Sequence, residues 1–304
     1  MRMDRGYVAL IATVAIWAST FVVTKAALVD LGPLTLTAAR FMVALVVLAP
    51  AAWPRGLRPR LLVRPALVLS GLTGVALFFA LQNVGLTLTS AASASLVHAS
   101  TPGVISLAAV LFLGERLSPR QIVGVSLAVA GSGVVAVASR AGEAGPNPLL
   151  GNLLMFGSVL AWATYTVVGK RMAGVEDPLV ATAAGIAVGL VCLLPFAAAE
   201  VLGGGALRLT WPAVGAIAYL GVAASALTLV LWNYALSRVQ AHTASAFINL
   251  VPVVGALLAV WTGETLTLPE IGGGLLALVG VWFSAGRQEA PAARTPRTAT
   301  NAGA

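Results

Sequence analysis

The sequence holds apolar runs long enough to cross a bilayer, and His98 is one of the few ionisable side chains inside them. It lies about eight residues into the run 90–112, roughly 12 Å deep at the helical rise per residue. Histidine titrates near neutral pH, and ionisable groups at such depth are costly and often functional. His98 could therefore carry a proton or bind a substrate, or it could be a neutral histidine bonded to a neighbouring helix.

Two tryptophans, Trp17 and Trp162, lie near the middle of other apolar runs. Tryptophan usually collects at membrane–water interfaces, so this depth is unusual. Thr20 and Tyr165 follow three positions later and therefore share a helix face with them. Two such faces would form flat apolar walls for a small, partly apolar solute. The alternative is that both tryptophans pack in the core or face lipid.

Amide side chains supply a second set of candidates. Asn249 lies deep in a late run and is the better candidate for lining a cavity. Asn83 lies close to a predicted helix end, as do Gln82, Trp232 and Asn233. At those positions helix capping or interfacial anchoring is an alternative explanation to ligand binding. Of the amides, only Asn83 and Asn249 are kept as cavity candidates.

Charged residues in or beside the runs have competing explanations. Arg40 could meet a substrate carboxylate, could extend its stem toward the outer face, or could be held by a polar neighbour, and the last is favoured. Glu115 stands beside Arg116, which favours a surface ion pair. Lys170 lies at a helix end, where its ammonium is expected to reach the interface.

Two prolines are predicted inside helices. Pro102 and Pro252 each remove a backbone hydrogen bond and kink the chain. Because they occupy matching places in the two halves, they are hinge candidates.

The sequence offers no catalytic constellation. It has two histidines and one cysteine, with no His-Glu-x-x-His and no Gly-rich phosphate-binding motif. We therefore expect no enzyme activity, no metal site and no cofactor. No Asp or Glu lies near the middle of any run, which argues against exchange of cationic drugs for protons.

Membrane helices must position these residues. Of the 304 residues 59% are hydrophobic and 9% charged, whereas soluble domains carry about 25% charged residues. Ten spans are predicted, near 7–24, 33–50, 65–86, 90–112, 119–138, 149–168, 178–199, 212–236, 243–262 and 270–286.

Lysine and arginine set the expected orientation. If the N-terminus is inside, most of them fall on the inner side, and the outer side holds Lys25, Arg140 and Arg208. The positive-inside rule then places both termini in the cytoplasm, in a multi-pass protein of the inner membrane. The tail 287–304, rich in Ala, Arg, Thr and Pro, is predicted to be disordered.

The two halves of the sequence match each other in register. The matches include Trp17 to Lys25 with Trp162 to Lys170, Pro33 with Pro178, Asn83 with Asn233, Pro102 with Pro252, and Gly114-Glu115 with Gly263-Glu264. Each copy holds five spans, an odd number, so the second copy enters the membrane from the opposite side. We predict an all-α integral membrane protein with ten transmembrane helices in two inverted five-helix repeats, 7–138 and 149–286, an arrangement typical of alternating access.

Through the Trp17 to Lys25 segment, the paired prolines and the Gly-Glu pairs, residues 7–286 resemble the EamA-like, ten-helix branch of the drug/metabolite transporter superfamily. The resemblance implies export of amino acids or other small metabolites through a central cavity lined by spans 1, 3, 4, 6, 8 and 9. Small residues on the fifth and tenth spans predict close packing within the chain or between protomers; they are Gly124, Ala128, Ser132, Gly273 and Ala277.

We therefore predict a secondary transporter that exports small metabolites, amino acids or related compounds, by alternating access. Its expected partners are a small-molecule substrate and membrane lipid, without nucleic acid, and a homodimer is left open. The alternatives are a multidrug or cation exporter of the same superfamily and a membrane subunit that does not transport.

Overall fold

The structure is a computed structural model that describes residues 5–89, 97–98, 100–138, 146–251, 254 and 268–284. This part of the chain is helical and contains no β-strand, which confirms the predicted all-α class. The helices are α1 (Arg5–Ala27), α2 (Pro33–Ala52), α3 (Pro65–Leu88), α4 (Thr101–Leu113), α5 (Pro119–Ala138), α6 (Pro148–Met172), α7 (Pro178–Leu202), α8 (Trp211–Leu236), α9 (Ala241–Ile248) and α10 (Leu268–Ser284). Pro252, Glu264 and the tail 287–304 lie outside the described residues.

Proline explains where several helices begin. Proline has the helical φ and needs no N–H partner in the first turn. It is the first residue of five helices: Pro33, Pro65, Pro119, Pro148 and Pro178. Helix α4 ends differently, because Gly114 adopts a left-handed conformation with φ of 66°. These signals are local, and the bounds of α2, α3, α6, α7 and α8 accordingly lie close to the predicted spans.

Five helices, α2, α3, α6, α7 and α8, are long and apolar enough to cross a membrane. Helix α4 and the segment Ile271–Ser284 are apolar but shorter. Many large apolar side chains are exposed on the outside, among them Val46, Val191 and Phe196. A surface of this kind suits contact with lipid, because soluble proteins seldom expose large apolar patches.

The same polar contact joins neighbouring helices in both halves of the chain. Asn83 Nδ2 in α3 donates to Thr37 Oγ1 in α2 at 2.8 Å. At the matching positions, Asn233 Nδ2 in α8 donates to Thr182 Oγ1 in α7 at 2.9 Å. The sequence repeat is thus also a repeat of side-chain contacts.

Helices α3 and α8 share a second feature at matching positions. Each contains a π-helical segment, Leu72–Leu77 in α3 and Val222–Leu227 in α8. Such segments are rare and frequently occur at functional sites. A third π-helical segment, Ala109–Leu113, ends α4.

Helices α5 and α10 pack backbone against backbone. A Cβ at Gly124 would lie 2.6 Å from the Ser284 nitrogen, and one at Gly131 would lie 2.6 Å from the Gly273 carbonyl oxygen. Only glycine permits this approach. The predicted small-residue contact is therefore made within the chain.

Candidate functional site

Aromatic rings from four helices meet in the interior. The Trp17 ring of α1 lies 5.3 Å from Trp162 of α6 and 5.6 Å from Trp232 of α8. The ring centroids of Phe78 in α3 and Tyr165 in α6 lie 4.8 Å and 4.9 Å from that of Trp162. We call these five residues the aromatic cluster. It joins helices of both halves of the chain.

Hydrogen bonds and a glycine fix the rings of the aromatic cluster. Trp17 Nε1 donates to Thr228 Oγ1 at 2.9 Å. The Tyr165 hydroxyl accepts from Asn233 Nδ2 at 2.8 Å. Gly74 lies in the π-helical segment of α3, where a Cβ would overlap the Tyr165 ring. The rings of Trp17 and Tyr165 are therefore held in defined orientations, as a preformed binding wall requires.

The structure brings the predicted pair Trp17 and Trp162 together, but it gives some of the other candidates local partners. The Thr20 hydroxyl donates to the Trp17 carbonyl of its own helix at 2.7 Å. The Asn83 amide is bonded to Thr37. Asn249 follows the last residue of α9 and is 2% exposed. The Thr20 hydroxyl thus bonds within its own helix, and the Asn83 amide bonds between α3 and α2.

His98 lies beside the aromatic cluster. Its Nε2 is 3.4 Å from Ser158 Oγ, and its ring centroid is 6.0 Å from that of Phe78. The side chain is half-buried. His98 is thus a neighbour of Trp162 through Phe78, which keeps both interpretations of this histidine open.

Pro102 lies where a break in the fourth span is visible. Val97 and His98 are helical, Ser100 is in a turn, and α4 begins at Thr101, so that Pro102 is in the first turn of the helix. A proline costs no hydrogen bond at that position.

Sequence reasoning missed Trp232 and Gln82, which match each other in the repeat. Both were interpreted as capping or interfacial residues, but Trp232 is 0% exposed and belongs to the aromatic cluster. Among the described residues, Trp232 Nε1 and Gln82 Oε1 are buried without a hydrogen-bond partner. Buried polar atoms seldom stay unpaired, so they mark where a ligand or water is expected.

Arg40 is buried in α2 and does not reach the surface. Its Nε donates to Ser225 Oγ at 2.8 Å and its Nη2 to the Ala224 carbonyl at 3.2 Å, both in the π-helical segment of α8. Its guanidinium carbon lies 4.7 Å from the centre of the Phe79 ring. The interpretation in which the stem extends to the outer face is wrong.

Glu115 joins the end of α4 to the start of α9. Its carboxylate accepts from Ala241 N at 2.9 Å, from His242 N at 3.3 Å and from His242 Nδ1 at 2.7 Å. Burial raises the pKa of Glu115, but these hydrogen bonds and the nearby His242 lower it more, so the net pKa is below its usual value. The expected surface ion pair with Arg116 is wrong.

Lys170 of α6 interacts electrostatically with Glu115 and is bonded to the end of α8. Its ammonium donates to the Leu236 carbonyl at 2.9 Å and to the Val239 carbonyl at 2.6 Å, where α8 ends. We call Glu115, Ala241, His242 and Lys170 the Glu115 latch. It ties α4 of the first half to α6, α8 and α9 of the second. The recurrence of the Gly-Glu pair at Gly263-Glu264 marks Glu115 as a repeated position, but it does not identify these partners.

The described residues contain no group of three or more His, Cys, Asp or Glu side chains that could hold a metal ion. The polar chemistry of the interior is instead that of hydrogen-bond donors, acceptors and aromatic faces. These are the groups that bind small organic molecules.

Comparisons with known proteins agree over nearly the whole chain. The model of the EamA-like transporter family matches twice, at residues 4–137 and 149–286. A probable terminal-alkyne amino-acid exporter of Streptantibioticus cattleyicolor is 33% identical over 283 residues, covering 92% of this chain and 93% of its own. An uncharacterized transporter of Archaeoglobus fulgidus is 30% identical over 290 residues, covering 94% and 99%.

A probable amino-acid metabolite efflux pump of Salmonella typhimurium is 28% identical over 299 residues, covering 93% of this chain and 95% of its own. A solved crystal structure matches with a TM-score of 0.76 at 22% identity, covering 92% of this chain and 96% of that one. The likeness to this structure shows the fold alone.

Proposed function

The chain belongs to the EamA-like transporter family, and from that premise we propose that it exports small metabolites, amino acids or related compounds, as a secondary carrier. It is a multi-pass membrane protein. The observation that carries the proposal is the aromatic cluster, which α1 and α3 of one half and α6 and α8 of the other build together. Relatives named as exporters of amino acids or their metabolites support the substrate range.

The proposed architecture is ten transmembrane helices in two inverted repeats, 7–138 and 149–286, with both termini in the cytoplasm. Matching Asn–Thr contacts and matching π-helical segments support two structurally equivalent halves. Inverted halves give two states of similar energy, each open to one side of the membrane. The charge distribution of the loops supports the orientation.

In this carrier, substrate lies against Trp17 and Trp162, beside His98. The Glu115 latch then closes one side, because it ties α4 to helices of the other half. The break before Pro102 gives α4 a place to bend. Opening that side requires the carboxylate to release the first turn of α9.

Radiolabelled amino-acid uptake into proteoliposomes tests the proposal. We expect ATP-independent flux that is stimulated by unlabelled amino acid on the opposite side. Trp162→Ala should raise KM about tenfold, because an aromatic wall is lost. The matched control is Trp211→Ala, since Trp211 is 88% exposed on the periphery. Lack of flux for every amino acid and derivative would favour a non-transporting subunit.

The same uptake assay, repeated across pH, tests a coupled proton. If His98 carries it, His98→Ala should flatten the pH dependence of transport while leaving substrate exchange intact. An unchanged pH profile would remove His98 from this role.

The cation-exporter alternative predicts a different substrate preference. It needs a carboxylate in the interior to bind cation and proton in turn. In the described part of the chain, the acidic side chains with visible contacts, such as Asp30, Glu115 and Glu200, lie at helix ends. Competition of amino-acid uptake by quaternary ammonium compounds would favour this alternative.

A further inference from the structure

Arg40 is a buried cation without an acidic partner in the described structure. The ion pairs of the described residues are Arg64–Glu176, Arg208–Asp30 and His242–Glu115, and none involves Arg40. The side chain is 5% exposed. A buried charge is expected to be paired, and ionisable groups inside a membrane usually face a functional site.

The guanidinium is oriented but not saturated. It has five N–H groups, of which Ser225 Oγ accepts the one on Nε and the Ala224 carbonyl accepts one on Nη2. The ring of Phe79 covers one face. The edge formed by Nη1 and the second N–H of Nη2 has no acceptor among the described residues. That edge has the geometry that binds a carboxylate through two parallel hydrogen bonds.

Helix packing does not require an arginine at this position. A Cβ at Gly221 would lie 2.8 Å from the Arg40 carbonyl oxygen, so α2 and α8 cross through the backbone there. At the matching crossing of α7 and α3, Gly71 meets the Gly185 carbonyl in the same way. Gly185 is the repeat counterpart of Arg40 and has no side chain. The crossing therefore forms without one, and the guanidinium needs another explanation.

Arg40 borders the aromatic cluster. Its partner, the Ala224 carbonyl, also accepts from Thr228 Oγ1 at 2.8 Å, and Thr228 accepts from Trp17 Nε1. Gln82 lies three positions after Phe79 on the same face of α3, and its Oε1 has no partner among the described residues. A cationic edge, an amide acceptor and aromatic walls thus belong to one region.

We propose that Arg40 binds the carboxylate of the transported metabolite, so that the substrates are small carboxylic acids, foremost α-amino acids with apolar side chains. The guanidinium keeps its bond to Ser225 and offers its open edge to the carboxylate. The amino group lies within reach of an acceptor such as Gln82 Oε1, and the apolar side chain packs on the aromatic cluster. This inference rests on the proposed function and names its substrate class.

Unmodified protein provides the first test. Thermal unfolding in detergent is measured with leucine, phenylalanine and tryptophan and with their primary amides, in acidic buffer that keeps every amino group protonated. We expect acids to protect at concentrations about tenfold or more below those of the amides, since only the acids form charge-assisted bonds to Arg40. If the amides stabilise the protein against thermal unfolding as well as the acids do, the inference is overturned. The carrier would then not recognise the carboxylate of its substrate.

Variants provide the second test, by uptake into proteoliposomes. Arg40→Gln should raise KM for the acid about tenfold or more and remove its preference over the amide, whereas Arg40→Lys should keep part of that preference. The matched control is Arg58→Gln, since Arg58 is an exposed arginine 5.4 Å from the Trp53 ring. A preserved acid preference in Arg40→Gln overturns the inference. If no member of the panel shows binding or flux, that result counts against the proposed function itself.

Discussion

The same asparagine–threonine hydrogen bond joins α2 to α3 in the first half and α7 to α8 in the second. Around this shared contact the interior side chains differ. Tyr165 in the second half extends to Asn233, whereas its counterpart Thr20 bonds its own helix. Arg40 in the first half is replaced by Gly185 in the second.

This difference separates the requirements of movement from those of binding. In the proposed carrier, two states of similar energy require equivalent backbones, and the glycine crossings at Gly71 and Gly221 are equivalent in this way. A substrate is asymmetric, so the side chains that contact it gain from being different in the two halves. Predictions about these pairs can therefore show which positions maintain the helix packing shared by the two halves and which belong to the binding site.

The largest effect is expected where the two halves are the same. Gly221→Leu and Gly71→Leu should each abolish the folded protein, because a side chain at Gly221 would lie 2.6 Å from Val43 Cβ. We expect the free energy of unfolding to fall by more than about 3 kcal/mol, since backbone atoms cannot move aside. The measurement is the monodisperse fraction in size-exclusion chromatography.

Gly215→Leu is the matched control for these glycines. It lies on the same helix α8, and a Cβ there would meet nothing within 4 Å. If Gly221→Leu stays as monodisperse as Gly215→Leu, the crossing of α2 and α8 does not require glycine at position 221.

An intermediate effect is expected where the halves share one bond and differ in another. Asn233→Ala loses partners on both Tyr165 and Thr182, whereas Asn83→Ala loses mainly Thr37. We expect destabilisation of about 2 kcal/mol at Asn233 and about 1 kcal/mol at Asn83, as for hydrogen bonds between membrane helices. Thermal unfolding followed by tryptophan fluorescence measures both.

Tyr165→Phe combined with Asn233→Ala isolates the extra bond. If the two changes are additive, the hydroxyl and the amide are energetically independent, and the difference between the halves has another origin.

The smallest effect concerns the Glu115 latch and its dependence on pH. Because the folded-state pKa of Glu115 lies below the unfolded value of 4.5, its stabilisation is complete above that value and is lost as pH falls through the folded-state pKa. Glu115→Gln should therefore lower the melting temperature at neutral pH and reduce its acid sensitivity. Unfolding scans across pH measure both.

Glu176→Gln is the control for the latch, because Glu176 is also a helix-end acid paired with a basic residue, the partly exposed Arg64. Such pairs contribute little. Equal losses in the two variants would mean that Glu115 acts only as a surface charge. Glu264→Gln asks whether the repeat counterpart makes a similar contribution.

Helix positions could be predicted from the sequence because their signals are local. Apolar runs and prolines such as Pro148 and Pro178 mark spans and their starts without knowledge of any partner. The repeat also identified Trp17 and Trp162, which the structure brings together.

Partners across helices could not be predicted, because they depend on how the helices pack. Glu115 follows the end of α4, yet it binds the start of α9, and nothing near it in sequence indicates that. Trp232 was placed near a helix end, where interfacial tryptophan is common, although α8 carries it into the core. The same limit applies to Arg40, whose alternatives could be separated only by its contacts with α8.

The close contact of α5 with α10 bears on how the protein is made. Helix α10 comes much later in the chain than α5, so the glycine face of α5 leaves the ribosome long before its partner exists. Until then, lipid or another segment must cover that face, and premature partners compete for it. This contact can therefore form only after α10 has been synthesised, and a chain truncated before α10 is expected to be recognised by membrane quality control and degraded.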